Sequence, residues 1–211
     1  MDKLMNSFRL LAILLVSCLP LSNLAAEPVT TPDGLEFCTV CHGSQLMGNA
    51  NISAPRLSAL PAWYVEQQLH AFKNDWRGTH ASDLAGAEMN VMVNGLSDED
   101  IEAIAAWVTQ TESPKPELTI LADASAGSEL YKACAACHGV SAEGIQSLGA
   151  PPLTGINDWY IKTQLKHFRD EVRGSATGDT KGLMMQASMT LIQSDEDINN
   201  LVAYINELTQ P

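Results

Sequence analysis

Cys38-Thr39-Val40-Cys41-His42 and Cys134-Ala135-Ala136-Cys137-His138 decide how this chain reads. In each stretch two thiols are spaced to reach the two vinyl groups of one haem. A histidine follows directly, placed to ligate the iron, which is the pattern of c-type haem attachment. The likeness runs past the motifs: segments 38–89 and 134–185 are identical at 18 of 52 positions without a gap. Convergence on a bare motif would not produce that. A thioredoxin-like redox pair needs a βαβ context that neither copy has, and structural zinc sites usually space cysteine and histidine farther apart. Cys38, Cys41, Cys134 and Cys137 are therefore expected to bind two covalent haem c groups, with His42 and His138 as the proximal iron ligands.

The repeat implies two domains, small enough that a covalent haem would supply much of the apolar filling of each. The expected division is a signal peptide over 1–26, a first domain over 27–110, a linker over 111–121 containing Pro114 and Pro116, and a second domain over 122–211. The apolar run Leu10–Leu21, broken by Ser17, Cys18 and Pro20, is too short and interrupted for an ordinary transmembrane helix and suits export. Leu15-Val16-Ser17-Cys18 also looks like a lipobox, so a lipid anchor at Cys18 is the alternative. Four of the five cysteines sit in the two motifs and the fifth is Cys18, so the processed chain would hold no spare thiol. From Glu27 onward there are 10 Lys and Arg against 24 Asp and Glu. Such an acidic protein is a poor partner for nucleic acid or an anionic membrane face.

Hydrophobic spacing predicts short helices over 33–42 and 127–138 delivering the motifs, and longer ones over 61–74 and 158–170. Ser97-Asp98-Glu99-Asp100 and Ser194-Asp195-Glu196-Asp197 read as capped starts of terminal helices, with acids in the positive first turn. Ile101, Ile104, Ala105 and Val108 in one, and Ile198, Leu201, Val202 and Ile205 in the other, form the inner stripes. The stretches between, 77–95 and the one holding Met184, Met185 and Met189, read as irregular. No sustained period-two pattern competes. The expected fold class is all-α: two tandem domains, each with a few helices and long loops wrapped around a haem, which accounts for loops of that length.

A ligating histidine normally has its second ring nitrogen held by an acceptor. Pro55 and Pro151, at equivalent positions, offer a backbone carbonyl, although a turn proline beside a core leucine reads equally well. For the sixth ligand, the gap-free repeat pairs Met89 with Met185, and one added residue pairs Met92 with Met189. The caps Ser97 and Ser194 require that addition somewhere, so the repeat permits either pairing. His80 is a further candidate, but its equivalent is Ala176. Arg77 and Arg173 are equivalent and suit either haem propionates or a tethering role. His70 and His167 read as surface residues, and Trp63-Tyr64 and Trp159-Tyr160 as packing groups.

The whole of 34–208 resembles the di-haem cytochrome c4 family, which has two class-I-like cytochrome c domains in tandem. Its first domain carries Met-x-x-Met ahead of Leu-Ser-Asp with the earlier methionine on iron. Met89 matches that ligand and Met92 its non-ligating partner. In the second domain Gly178-Asp179-Thr180 matches, while Met184-Met185 and the extra residue before Ser194 depart from the pattern; Met185 is the ligand the resemblance favours. Histidine and methionine on one iron leave no open position, and a neutral thioether with burial raises the potential. The resemblance thus implies an electron-transfer protein rather than an enzyme: a periplasmic carrier, peripherally attached to the membrane or free of it. It would take electrons from a quinol-oxidising complex and pass them to a terminal oxidase or reductase. The alternative is an electron-transfer subunit, or a di-haem oxidoreductase with one labile iron site.

Overall fold

The computed structural model describes residues 31–58 and 60–208; the expected signal segment and the alternative anchor at Cys18 lie outside them. The order is α1 (Glu36–His42), α2 (Ala62–Lys73), α3 (Leu84–Val93), α4 (Asp98–Gln110), α5 (Ala124–His138), α6 (Asp158–Arg169), α7 (Thr180–Ser188) and α8 (Asp195–Leu208). Short 3-10 turns lie at Ala50–Ile52, Gln146–Leu148 and Met189–Leu191. Among the described residues there is no strand, only the isolated bridges Asn49–Ala54 and Ile145–Ala150 at equivalent places after the two motifs. No described helix is long and apolar enough to cross a membrane. The fold is all-α in two tandem units.

Each unit has its own core. In the first, α2 packs on α4 and buries Val65, Leu69 and Phe72 against Ile101, Ile104 and Val108. In the second, α8 packs on α5 and α6, burying Ile198, Leu201, Val202 and Ile205 against Ile161, Leu165 and Phe168. Leu60 touches both cores. The terminal helices start as their sequences dictate. Ser97 Oγ accepts from the Asp100 amide while the Asp100 carboxylate accepts from the Ser97 amide. Ser194 and Asp197 repeat the exchange. Two backbone donors are satisfied at each end.

Helix α5 is twice the length of α1 and crosses α8 closely. A Cβ at Gly127 would run into the Asn200 carbonyl on α8. Gly127→Ala is expected to force the pair apart and cost about 1–3 kcal/mol, the usual cost of overpacking. Denaturant titration of the haem-loaded protein, followed at helical ellipticity, measures it.

The stretches expected to be irregular contain helices. Asp83 accepts from the Gly86 amide to start α3, and Asp179 accepts from the Gly182 amide to start α7. Met89 and Met92 therefore sit on α3, and Met184 and Met185 on α7, with Met189 in the 3-10 turn that follows. Good helix formers follow each cap, Leu84-Ala85 and Ala87-Glu88-Met89 in α3, and the glycine within the first turn, which lowers the sequence signal, is buried there.

The linker is strapped at both ends. Arg56 donates to the carbonyls of Ser113 and Pro114, at 3.1 and 2.5 Å, and the Ser58 and Ser113 hydroxyls are 2.6 Å apart. Farther on, the Asp158 carboxylate accepts from the Thr119 amide, the Thr119 hydroxyl and the Ile120 amide.

Candidate functional site: two haem pockets facing across a domain interface

Cys38 and Cys41 lie one helical turn apart on α1, and Cys134 and Cys137 on α5, so both thiols of each pair share a helix face. None of the four is in a disulfide. Both histidines end their helix and are buried, His42 at 4% and His138 at 6% exposure. His42 Nδ1 is 2.7 Å from the Pro55 carbonyl and His138 Nδ1 is 2.8 Å from the Pro151 carbonyl. A carbonyl only accepts, so Nδ1 carries the proton and the lone pair is on Nε2. Burial pushes both imidazoles below the ordinary histidine value, with the proline carbonyls working against it. Both rings are neutral near pH 7, the form that ligates a metal.

The loop that brings each proline to its histidine needs a glycine. Gly48 has φ +86°, and a Cβ there would lie 2.5 Å from the Arg56 amide nitrogen. Gly144, its equivalent, would press on Pro152 in the same way. Only a residue with no Cβ permits the positive φ and the close approach together.

A cavity of about 850 Å³ runs across both units, lined by His42, Met89 and Trp76 on one side and by His138, Met185 and Trp159 on the other. Met89 packs at the edge of the first core and Met185 at the edge of the second. The structure settles where the repeat gains its residue. Met89 lies six positions after the cap Asp83, and Met185 six after Asp179. The extra residue therefore falls after α7, at the turn Met189–Leu191. Met89 and Met185 are structural equivalents. Met189 is 4% exposed and packs in the second core; like Met92 and Met184 it also lines the cavity.

Between the pockets lies a set of buried polar groups only partly foreseen. Arg77 and Arg173 are 7% and 8% exposed, each stacked over a phenylalanine (Phe72 and Phe168) at 4.3 and 4.5 Å. Gln68 Oε1 accepts from Arg77 and Arg173 at 2.7 and 2.6 Å; Gln164 Oε1 accepts from Arg173 and Arg77 at 2.6 and 3.3 Å. Arg77 also donates to the Tyr160 hydroxyl at 3.2 Å, so that tyrosine does more than pack. Burial, then the neighbouring Arg77 charge, pull the Arg173 guanidinium below its usual value. Both arginine Nε atoms are buried without a partner, and neither guanidinium has a carboxylate within 4.0 Å among the described residues. Two buried cations without an anion are costly. The carboxylates of haem are the anions this chemistry fits, and Arg77 and Arg173 are the residues that would receive them. His167 is not a surface residue either: its Nδ1 is 4.0 Å from Asp83 of the first unit. His80 is exposed and its Nδ1 accepts from the Ser82 amide at 3.1 Å.

Glutamines 68 and 164 were detectable, because the repeat keeps them. Asn157, which donates to the Met47 carbonyl and accepts from the Arg56 amide, left no such trace: its equivalent is Pro61.

Paired thiols and a buried imidazole held at Nδ1, with a methionine lining the same cavity, all present twice, define a tandem c-type haem protein. The family model of cytochrome c matches residues 35–112 and 124–209. The chain is 29% identical over 213 residues to cytochrome c4 of Pseudomonas aeruginosa, covering 97% of this chain and 100% of that one. It is 31% identical over 177 residues to the thiosulfate dehydrogenase electron acceptor of Thiomonas intermedia, covering 79% and 76%. The crystal structure of reduced recombinant cytochrome c4 from Pseudomonas stutzeri superposes with a TM-score of 0.62 at 28% identity, over 80% of this chain and 92% of that one. The chain belongs to the cytochrome c family, as a di-haem member of the cytochrome c4 type. It binds two covalent haem c groups through Cys38/Cys41 and Cys134/Cys137 and works as an electron carrier between redox proteins.

Proposed function

We propose that this protein is a periplasmic one-electron carrier whose irons are ligated by His42 and Met89 in the first unit and by His138 and Met185 in the second. It takes electrons from a quinol-oxidising complex and delivers them to a terminal oxidase or reductase. The observation that carries this reading is the equivalence of the two pockets: each has a neutral histidine on a proline carbonyl, and a methionine six residues beyond an aspartate cap. When bound, the haem supplies the one-electron couple. The chain holds the imidazole in one tautomer and walls the pocket with apolar side chains, and the Met89 and Met185 thioethers would serve as the second protein ligands of the two irons. Low dielectric and a neutral sulfur ligand favour the reduced state.

A second donor is favoured by a specific observation, the similarity to a thiosulfate dehydrogenase electron acceptor. On that reading the electrons come from a sulfur-oxidising dehydrogenase, and the rest of the scheme is unchanged. Mixing the oxidised protein with reduced donors separates them. Reduction by a quinol-oxidising membrane complex at a rate that saturates with carrier supports the first donor. Saturable reduction only by a thiosulfate-charged dehydrogenase selects the second. Rapid cyanide binding by the oxidised wild type at either iron would reject the closed-site carrier in favour of an oxidoreductase with a labile position.

A further inference from the structure

The two proximal histidines are not held alike. The carbonyl of Pro55 and the N–H of Arg56 belong to one peptide group. Its oxygen accepts from His42 Nδ1 at 2.7 Å, and its N–H donates to Asn157 Oδ1, on the other unit, at 2.7 Å. The corresponding peptide in the second unit joins Pro151 to Pro152. A proline has no N–H, so that carbonyl receives no such support.

Asn157 is placed for this contact at a local cost. It stands at the N-cap of α6, where an asparagine side chain ordinarily accepts from its own helix. Here it makes no cap bond. It is 9% exposed, with Oδ1 turned to the Arg56 amide and Nδ2 to the Met47 carbonyl at 3.4 Å. Donor and acceptor partners on its two ends set which way the amide points.

We propose that Asn157 is a positioning residue that strengthens the electron donation of His42, lowering the reduction potential of the first haem relative to the second. This rests on the reading of His42 as iron ligand. A hydrogen bond donated by the N–H of a peptide polarises the group and strengthens the bond its carbonyl accepts. A more negative Pro55 oxygen draws the Nδ1 proton of His42 and makes Nε2 more basic, as outer partners of metal-bound histidines do. A more basic ligand favours ferric iron. The first haem is thus tuned from the opposite unit, and the second is not.

The test uses the haem-loaded protein with Asn157→Leu and Asn157→Asp. Potentials come from spectroelectrochemical titration, with the two steps assigned to their haems by the paramagnetically shifted methyl resonances. Leucine removes the acceptor, and the first haem's potential rises while the second stays put. Aspartate is a stronger acceptor, so the first haem's potential falls and the His42 Nδ1 proton resonance moves in the opposite sense to that in the leucine variant. Loosening of the domain interface alone would move both haems, in the same direction in both variants, and that result overturns the proposal. So does an unmoved first haem in both. The ligation is checked separately: His42→Gly loses the first haem's half of the low-spin spectrum and regains it with added imidazole. A His42→Gly protein that keeps the full low-spin spectrum of both haems overturns the ligand reading itself, and this inference with it.

Discussion

Met185→Ala is expected to remove about half of the near-infrared sulfur-to-iron band of the oxidised protein, to lower the potential of one haem and to let that iron bind cyanide. Met189→Ala is expected to leave the band whole. The difference rests on what each sulfur does. A ligating thioether closes the iron's coordination, whereas a packed one supplies volume. Met185 has the same place relative to its helix cap as Met89, while Met189 opens the turn at which the repeat gains a residue and is nearly fully buried in the second core. Met189→Ala should therefore show its loss in stability, about 2–5 kcal/mol for a buried methionine, measured by denaturant titration. A full band in Met185→Ala together with a halved one in Met189→Ala would reverse the assignment. Met89→Ala should mirror Met185→Ala at the first haem.

The largest stability effect is expected at Asp158. Its carboxylate is wholly buried and accepts from the amides of Thr119, Ile120 and Trp159, the Thr119 hydroxyl and the Asn206 amide. No cation pairs with it among the described residues. Removing it strands several buried donors, each at about 1–3 kcal/mol if left without water. Asp158→Ala is expected to cost about 3–5 kcal/mol in all, the size of breaking a buried charged network by removing one member. Burial works to raise this carboxyl, but the donors, first the Ile120 and Thr119 amides, outweigh it and hold it below the usual aspartate range. A folded-state value below the unfolded one means the group stabilises at pH above about 4, the ordinary aspartate value. The contribution fades as the pH falls below that. The gap in denaturation midpoint between wild type and Asp158→Asn should therefore narrow from pH 6 toward pH 2. A gap that widens on acidification would contradict the assignment.

What could be read from the chain alone follows from how local each constraint is. The haem motifs are covalent chemistry at fixed spacing, and the Ser-Asp-Glu-Asp starts are backbone donors answered by the nearest side chains. Both are complete within a few residues. The inner stripes of α4 and α8 are periodic, and all eight residues expected there are buried. The helices under Met89 and Met185 were missed because the glycine in each first turn hides the helical signal, while the aspartate cap that compensates stands alone. The interface was largely out of reach. The Arg56–Asn157 contact spans 101 residues, and nothing periodic or repeated marks either partner. His167 and Tyr160 face the opposite unit through side chains that a helical wheel assigns to an ordinary outer face.

The crossed arginine–glutamine set has one more consequence. Arg77 reaches Gln164 and Arg173 reaches Gln68, the same two repeat positions taken in both directions. That is the self-complementarity of a two-fold homodimer, where a contact of one residue with another is always returned. A one-domain ancestor bearing a single such arginine and glutamine could make both contacts with a copy of itself before the halves were ever joined. The Arg56–Asn157 bond cannot be returned, because the reverse positions are Pro152 and Pro61. Only fusion, which lets the halves diverge, makes room for a contact that runs one way and distinguishes one haem from its twin.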